Sequence, residues 1–180
     1  RVVVHHVMER KVYWNGSSDS DLFMREMQGI TNKHYSRQLR TKALVSQKIK
    51  AENGWFPGNK PPLGYIHERM KDEQGRPLKR GTIIVPDPNT KNVQQVQREF
   101  ELRGNKKLTL SQIADQLVIE GYITKGQRRA YESSIDRRLK NPFYNGYFQW
   151  PKDGPRYKGH HELFINSQLF NQVQSTFGIG

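Results

Sequence analysis

From Ser20 to Asn53 the chain contains no proline and a single glycine, Gly29. Apolar residues Phe23, Met27, Ile30, Leu39, Ala43, Val45 and Ile49 recur there at roughly helical steps. The run predicts one continuous helix, near 50 Å long at about 1.5 Å per residue. A helix of that length needs a partner for its apolar seam. The preceding SSDSDLFM supplies capping hydroxyls at Ser17, Ser18 and Ser20, and Asp19 and Asp21 sit where a helix dipole favours carboxylates. Gly54 is placed to end the helix as a C′ glycine.

Charge gives this helix its character. Lys33, Arg37 and Arg40 fall at steps of four and three and so share a face, Lys48 continues the pattern, and no Asp or Glu lies between Lys33 and Lys50. A helix that is merely solvated usually alternates signs. The whole chain of 180 residues carries a formal charge of +13 and a pI near 10.0, which points to a polyanionic partner. The absence of cysteine excludes disulfides and thiolate zinc sites. No apolar run approaches the ~20 residues that cross a bilayer, and the N-terminus lacks a signal-peptide pattern, so a soluble intracellular protein is expected, with no membrane partner.

Beyond Gly54, the prolines at 57, 61 and 62 and the glycines at 58 and 64 set an extended path that excludes helix. A stiff, Lys60-bearing strap of this kind can lie along a duplex groove with little entropy left to lose; an inert interdomain hinge is the rival reading. KDEQGRPLKRG then reads as a hairpin leading into the β-type run TIIVP, and a helix is expected over about Asn89 to Leu102. At the start of the chain, VVVHHV suits a short strand, on which the adjacent His5 and His6 would point to opposite faces and not share a metal ion.

LTLSQIADQLVIEGYITKGQRRAYESSIDRRLKNP carries the densest signal. Thr109 caps an amphipathic helix with Ile113, Ala114, Leu117 and Val118 on one side, and Gly121 ends it. Ser133 is expected to open a second helix with Ile135 and Leu139 inward and Arg137, Arg138 and Lys140 outward. The pair resembles a helix-turn-helix, although a dozen connecting residues is longer than the compact motif, and two packed helices of any small α-domain remain an alternative. Finally YFQW and RYKGHH flank the turn PKDGP as a hairpin, and Asn166 caps a last helix. His160 and His161 lack partners at metal spacing.

Taken in order, NGWFPGNKPPLGY, IIVPDPNTKNVQQVQREFEL, LTLSQIADQLVIEGYIT, RRLKNPFYNGYFQW and YKGHHELFINSQLFNQV resemble the large serine recombinases, the serine integrases of phages and mobile elements. The conjunction of the glycine-proline strap with LKNPFYNGY is the specific part. The resemblance implies an α+β, mainly helical architecture: a long N-terminal helix followed by a compact mixed α/β recombinase domain with a helix-turn-helix-like element and a β-hairpin. It divides the chain into the last strand of a catalytic domain (1–16), the long connecting helix (17–53), an extended linker (54–66) and the DNA-binding domain (67–180).

By the same resemblance, the parent enzyme is a site-specific DNA recombinase, and this chain lacks its serine core, so no catalytic residue, metal or cofactor is assigned and no activity is expected of the chain alone. Double-stranded DNA is the expected partner, at the attachment site used for integration, in a bacterial or phage-encoded cytoplasmic protein. Self-association through the long helix, as a dimer or within the full enzyme's tetramer, is expected as well. The expected DNA contacts are Lys33, Arg37, Arg40 and Lys48 on the helix, Lys60 on the strap, and Arg128, Arg129, Ser133, Ser134, Arg137, Arg138 and Lys140 around the second helix of the pair. A helix-turn-helix transcriptional regulator would use the same basic surface without strand exchange.

Overall fold

The computed structural model describes residues 18–58 and 60–178, the backbone alone of Lys79 and Arg80, and the backbone of two short strands near the start of the chain. Two compact units divide it, residues 1–47 and 48–180. In the first, β1 (Val4–His6) pairs antiparallel with β2 (Lys11–Tyr13), His5 opposite Val12. The rest of the strand expected at VVVHHV, and Ser17, lie outside the described residues.

Helix α1 (Asp19–Glu52) forms as its composition dictates. Ser18 Oγ accepts the backbone N–H of Asp21 at 3.2 Å, and Asp19 and Asp21 occupy the first turn. The other end belongs to the second unit. There Trp55 N donates to Lys50 O and Gly54 N to Ala51 O, both at 2.9 Å, which is the double hydrogen bond of a Schellman motif. Gly54 has φ +75°, and a Cβ on it would stand 2.7 Å from the His160 ring, so both backbone and packing require glycine. Ala51 is the helix's buried residue, whereas Phe23 (61% exposed) and Ile30 (63% exposed) show that its apolar seam is bare in the single chain.

The second unit continues with the hairpin β3 (Tyr65–Lys71) and β4 (Pro77–Pro86), in which Tyr65 faces Pro86 and the register shifts between Arg69 and Lys71. Its turn is tied by Asp72 Oδ1, which accepts from Gln74 N at 3.0 Å and Arg76 N at 2.8 Å. Helices α2 (Thr90–Gly104) and α3 (Leu110–Ile119) follow. Asn89 caps α2 through Lys91 N, and Thr109 with Gln112 makes a reciprocal capping box on α3.

Helix α4 spans Arg128–Leu139, so it begins earlier than Ser133, the start expected from the sequence. A 3-10 turn at Lys125–Gln127 leads directly into it, and Thr124 and Gln127 share a capping box that no apolar periodicity signals. Ser133 and Ser134 therefore lie mid-helix, with their hydroxyls donating to Ala130 O at 3.2 and 3.5 Å. Hairpin β5 (Tyr147–Gln149) and β6 (Arg156–Lys158), then α5 (Ser167–Ser175) capped by Asn166, complete the chain.

Every sheet is a two-stranded antiparallel ribbon, and helix dominates, so the α+β, mainly helical class read from the sequence holds. One core serves the second unit: Phe100 and Leu102 from α2, Ile113 and Leu117 from α3, Ile135 and Leu139 from α4, and Val173 from α5 are all fully buried. At roughly 1.5–3 kcal/mol for each large apolar side chain withdrawn from water, these contacts dominate the fold.

Candidate nucleic-acid interface

LKNPFYNGY builds the platform on which the strap rests. Asn141 accepts from Phe143 N, Pro142 starts a short 3-10 turn, and Gly146 closes it in the left-handed region at φ +85°. The turn buries Phe143 and Tyr144 together. Phe56 of the strap enters edge-on between Phe143 and Phe148, at ring distances of 5.3 and 5.6 Å, and the Tyr144 hydroxyl donates to Leu63 O at 2.9 Å. Trp55 meets the His160 ring at 5.0 Å, and His160 Nε2 lies 3.0 Å from Asn53 O. The strap is thus fastened near both ends.

His161 packs beneath it, stacked on Phe143 at 3.9 Å with Nε2 2.7 Å from Phe143 O. Burial holds its pKa below the ordinary histidine value, so the neutral ring is the resident form. The histidines take packing and hydrogen-bonding roles here; among the described residues no group of three or more His, Asp or Glu stands in metal-holding geometry.

Between the strap, α4 and β5 lies an open cleft of about 650 Å³. Phe56 and Phe148 help form its apolar floor, and Lys60, Ser134, Arg137 and Gln149 bring polar groups to its walls. Arg137 is exposed; its Nε donates to Ser133 O and its second guanidinium nitrogen to Ser134 Oγ, both at 3.3 Å, which aims the side chain without neutralising it. Arg129 is exposed, and it makes no ion pair among the described residues. So the expected contact residues Lys60, Ser134, Arg137 and Arg138 line the cleft, with Ser133 beside Ser134.

Arg138, Arg128 and, just after α4, Lys140 are bound by acids. Arg138 reaches across to α2, where its Nε and one terminal nitrogen both donate to the Glu99 carboxylate at 2.7 Å. Glu99 is fully buried and also accepts from Gln95 Nε2 at 3.0 Å, while the Arg138 side chain is 13% exposed. Burial opposes the arginine's charge, but the carboxylate more than offsets it and raises the guanidinium pKa above its ordinary value. Arg128 binds Asp115 of α3 through two nitrogens and adds bonds to Ser111 Oγ at 2.7 Å and Glu132 at 3.2 Å. That hydrogen-bonded guanidinium lowers the Asp115 pKa. Lys140 pairs with Asp136 at 2.7 Å and lies 4.6 Å over the Phe177 ring.

On α1, Lys33, Arg37 and Arg40 are exposed with no ion pair among the described residues, and Lys48 approaches Glu52 at 3.8 Å with both side chains mostly exposed. Exposed pairs of this kind contribute little. Sequence reasoning missed Gln149, which faces the cleft, and the acids that capture α4's cations. Alternation in YFQW could have placed Gln149 opposite the buried Phe148; nothing local marks Glu99 as a partner.

The sequence profile of the Recombinase family matches residues 90–177, from the start of α2 through α5. Just under half of the chain is thus similar to that family. The resemblance to the large serine recombinases carried by its motifs therefore holds. Two solved structures share the fold of this chain. One is described as "Crystal Structure of a LSR-DNA Complex" (18% identity, TM-score 0.57, 76% of this chain and 38% of that one). The other is described as "Sequence Requirements of the Listeria innocua prophage attP site" (19% identity, TM-score 0.53, 75% of this chain and 51% of that one). The chain thus spans at most about half the length of these structural relatives. No curated protein matches it significantly. Among the described residues no helix is long and apolar enough to cross a membrane.

Proposed function

We propose that this chain is the DNA-addressing part of a site-specific serine recombinase, binding double-stranded DNA at an attachment site in the cytoplasm. The reading is carried by the convergence of Lys60, Ser134 and Arg137 on one open cleft, in a chain whose net charge is +13. Arg137, with Ser133 and Ser134 one turn away, would meet the major groove from α4, and Arg129 and Lys60 would bind phosphates. Arg128, Arg138 and Lys140 act indirectly, by fixing α4 against α2, α3 and the Phe177 ring. That related folds were solved as a DNA complex and in work on an attachment site supports the same partner.

The domain division belongs to this reading: 1–16 as catalytic tail, 17–53 as connecting helix, 54–66 as linker and 67–180 as the DNA-binding domain. On α1, Lys33, Arg37, Arg40 and Lys48 supply a phosphate-binding face, and the exposed Phe23, Met27 and Ile30, spaced four and three apart, supply a seam for a second copy. Sedimentation equilibrium of the chain tests the seam: concentration-dependent dimers are expected, and Ile30→Asp should abolish them.

The DNA reading is tested by titrating a labelled duplex at several salt concentrations. If about six cations neutralise phosphates, the slope of log K against log salt should be roughly −5. A flat plot, or no binding at low salt, removes the reading.

A further inference from the structure

A second basic surface lies on the hairpin of β5 and β6. In the hairpin of β5 and β6, Phe148 is buried while Tyr147 and Gln149, its neighbours on the strand, are exposed; on β6, Tyr157 is partly buried while Arg156 and Lys158 are exposed. The register sets Tyr147 opposite Lys158 and Gln149 opposite Arg156. Period-two alternation therefore places these four side chains together on the outer face, with no carboxylate among them. Neither Arg156 nor Lys158 makes an ion pair among the described residues, unlike Arg128, Arg138 and Lys140.

We propose that the outer face of this hairpin is a second DNA-binding surface, in which Arg156 and Lys158 bind neighbouring phosphates of one strand while Tyr147 donates a hydrogen bond beside them and Gln149, whose Nε2 donates to Gly154 O at 2.7 Å, holds the turn. The proposal rests on the DNA reading above and adds a grip beside the α4 contact. Two features select a nucleic-acid backbone as occupant. Residues two apart on a strand stand about 6.6 Å from each other. That is close to the separation of successive phosphates along one strand of a duplex. Gln149 also lines the cleft that Arg137 and Lys60 enter, so the hairpin face is continuous with the proposed α4 contact. A short two-stranded ribbon whose inner face is committed to the core through Phe148 presents these groups on a fixed base. Phosphate contacts of this type carry affinity and register but no sequence preference.

The test compares salt dependence of duplex binding by the intact chain and by three variants. Arg156→Ala with Lys158→Ala should make the slope of log K against log salt shallower by about 2 and weaken preferred and random duplexes by the same factor. Lys91→Ala with Lys106→Ala removes the same charge from exposed positions outside the hairpin and should shift the slope far less. Arg156→Lys with Lys158→Arg should retain the parental slope. An unchanged slope in the first variant, or an equal change in the second, overturns the hairpin contact while leaving the DNA reading intact. Absence of salt-dependent binding by the unmutated chain overturns both. Unchanged near-UV circular dichroism verifies that the outward-facing substitutions leave the fold in place.

Discussion

Helices α1 and α4 are both basic, and they hold their cations in opposite ways. Along α1, Lys33, Arg37 and Arg40 stand exposed on a stretch with no acid between Lys33 and Lys50. Along α4 and at its C-cap, Arg128, Arg138 and Lys140 are each bound by a carboxylate, leaving Arg129 and Arg137 outward. The captors of the two arginines lie 13 residues away on α3 (Asp115) and 39 residues away on α2 (Glu99). Net charge thus reports how many cations a segment owns, while tertiary acids decide how many it can offer to another molecule.

The sharpest break of this contrast is at Glu99. Glu99→Ala leaves the largely buried Arg138 guanidinium without its counter-charge and should cost about 3 to 5 kcal/mol, read as a lowered urea midpoint. Glu99→Gln keeps a hydrogen-bond acceptor and should cost less. If Glu99→Ala is nearly neutral, Arg138 is not held as described and becomes as available as Arg37.

Next in size is the pair Arg137 and Arg138, adjacent in sequence and opposite in role. Arg137→Ala should weaken binding to a preferred duplex by about 1 to 3 kcal/mol if it reads a base edge, and leave the unfolding midpoint unchanged. Arg138→Ala should mainly lower stability. Equal losses on preferred and random DNA would make Arg137 a phosphate contact, and a reversed pattern would exchange the two assignments.

Much of this contrast is legible in the sequence, and its missing half has a physical cause. The long helix was set by absent proline, flanking caps and Gly54, all local signals, and it was found nearly to the residue. Thr109 and Asn166, as caps, likewise announce α3 and α5, and the apolar period of Val93, Val96 and Phe100 announces α2. The start of α4 was misplaced because Lys125–Gln127 enters it through a 3-10 turn whose cap does not follow an apolar period. The availability of Arg128 and Arg138 was unreadable because an ion pair between helices depends on packing, whereas the bare face of α1 was readable because no acid stood within a helical turn.

A milder perturbation separates the strap platform from α1. Burial depresses the pKa of His161, so the folded state binds its proton less readily than the unfolded chain does. Its contribution is fully present above the unfolded value of about 6.5 and is lost as pH falls from there through the lower folded value. Urea midpoints taken across that interval should decline for the parent chain and decline less for His161→Phe, which keeps a ring against Phe143. Equal declines would place the responsible proton on another group.

The smallest stability effect is expected on α1 itself. Replacing Lys33, Arg37 and Arg40 together by alanine removes no ion pair seen among the described residues, and alanine is the best helix former, so unfolding should shift by less than about 0.5 kcal/mol per site. Duplex binding should nevertheless become less salt-dependent, by close to three units of slope if all three side chains meet phosphates. A stability loss comparable to that of Glu99→Ala would mean that these cations hold structure as Arg138 does, and the contrast between the two helices would disappear. An unchanged slope with unchanged stability would leave α1 basic but unengaged by DNA, and confine the phosphate contacts to the second unit.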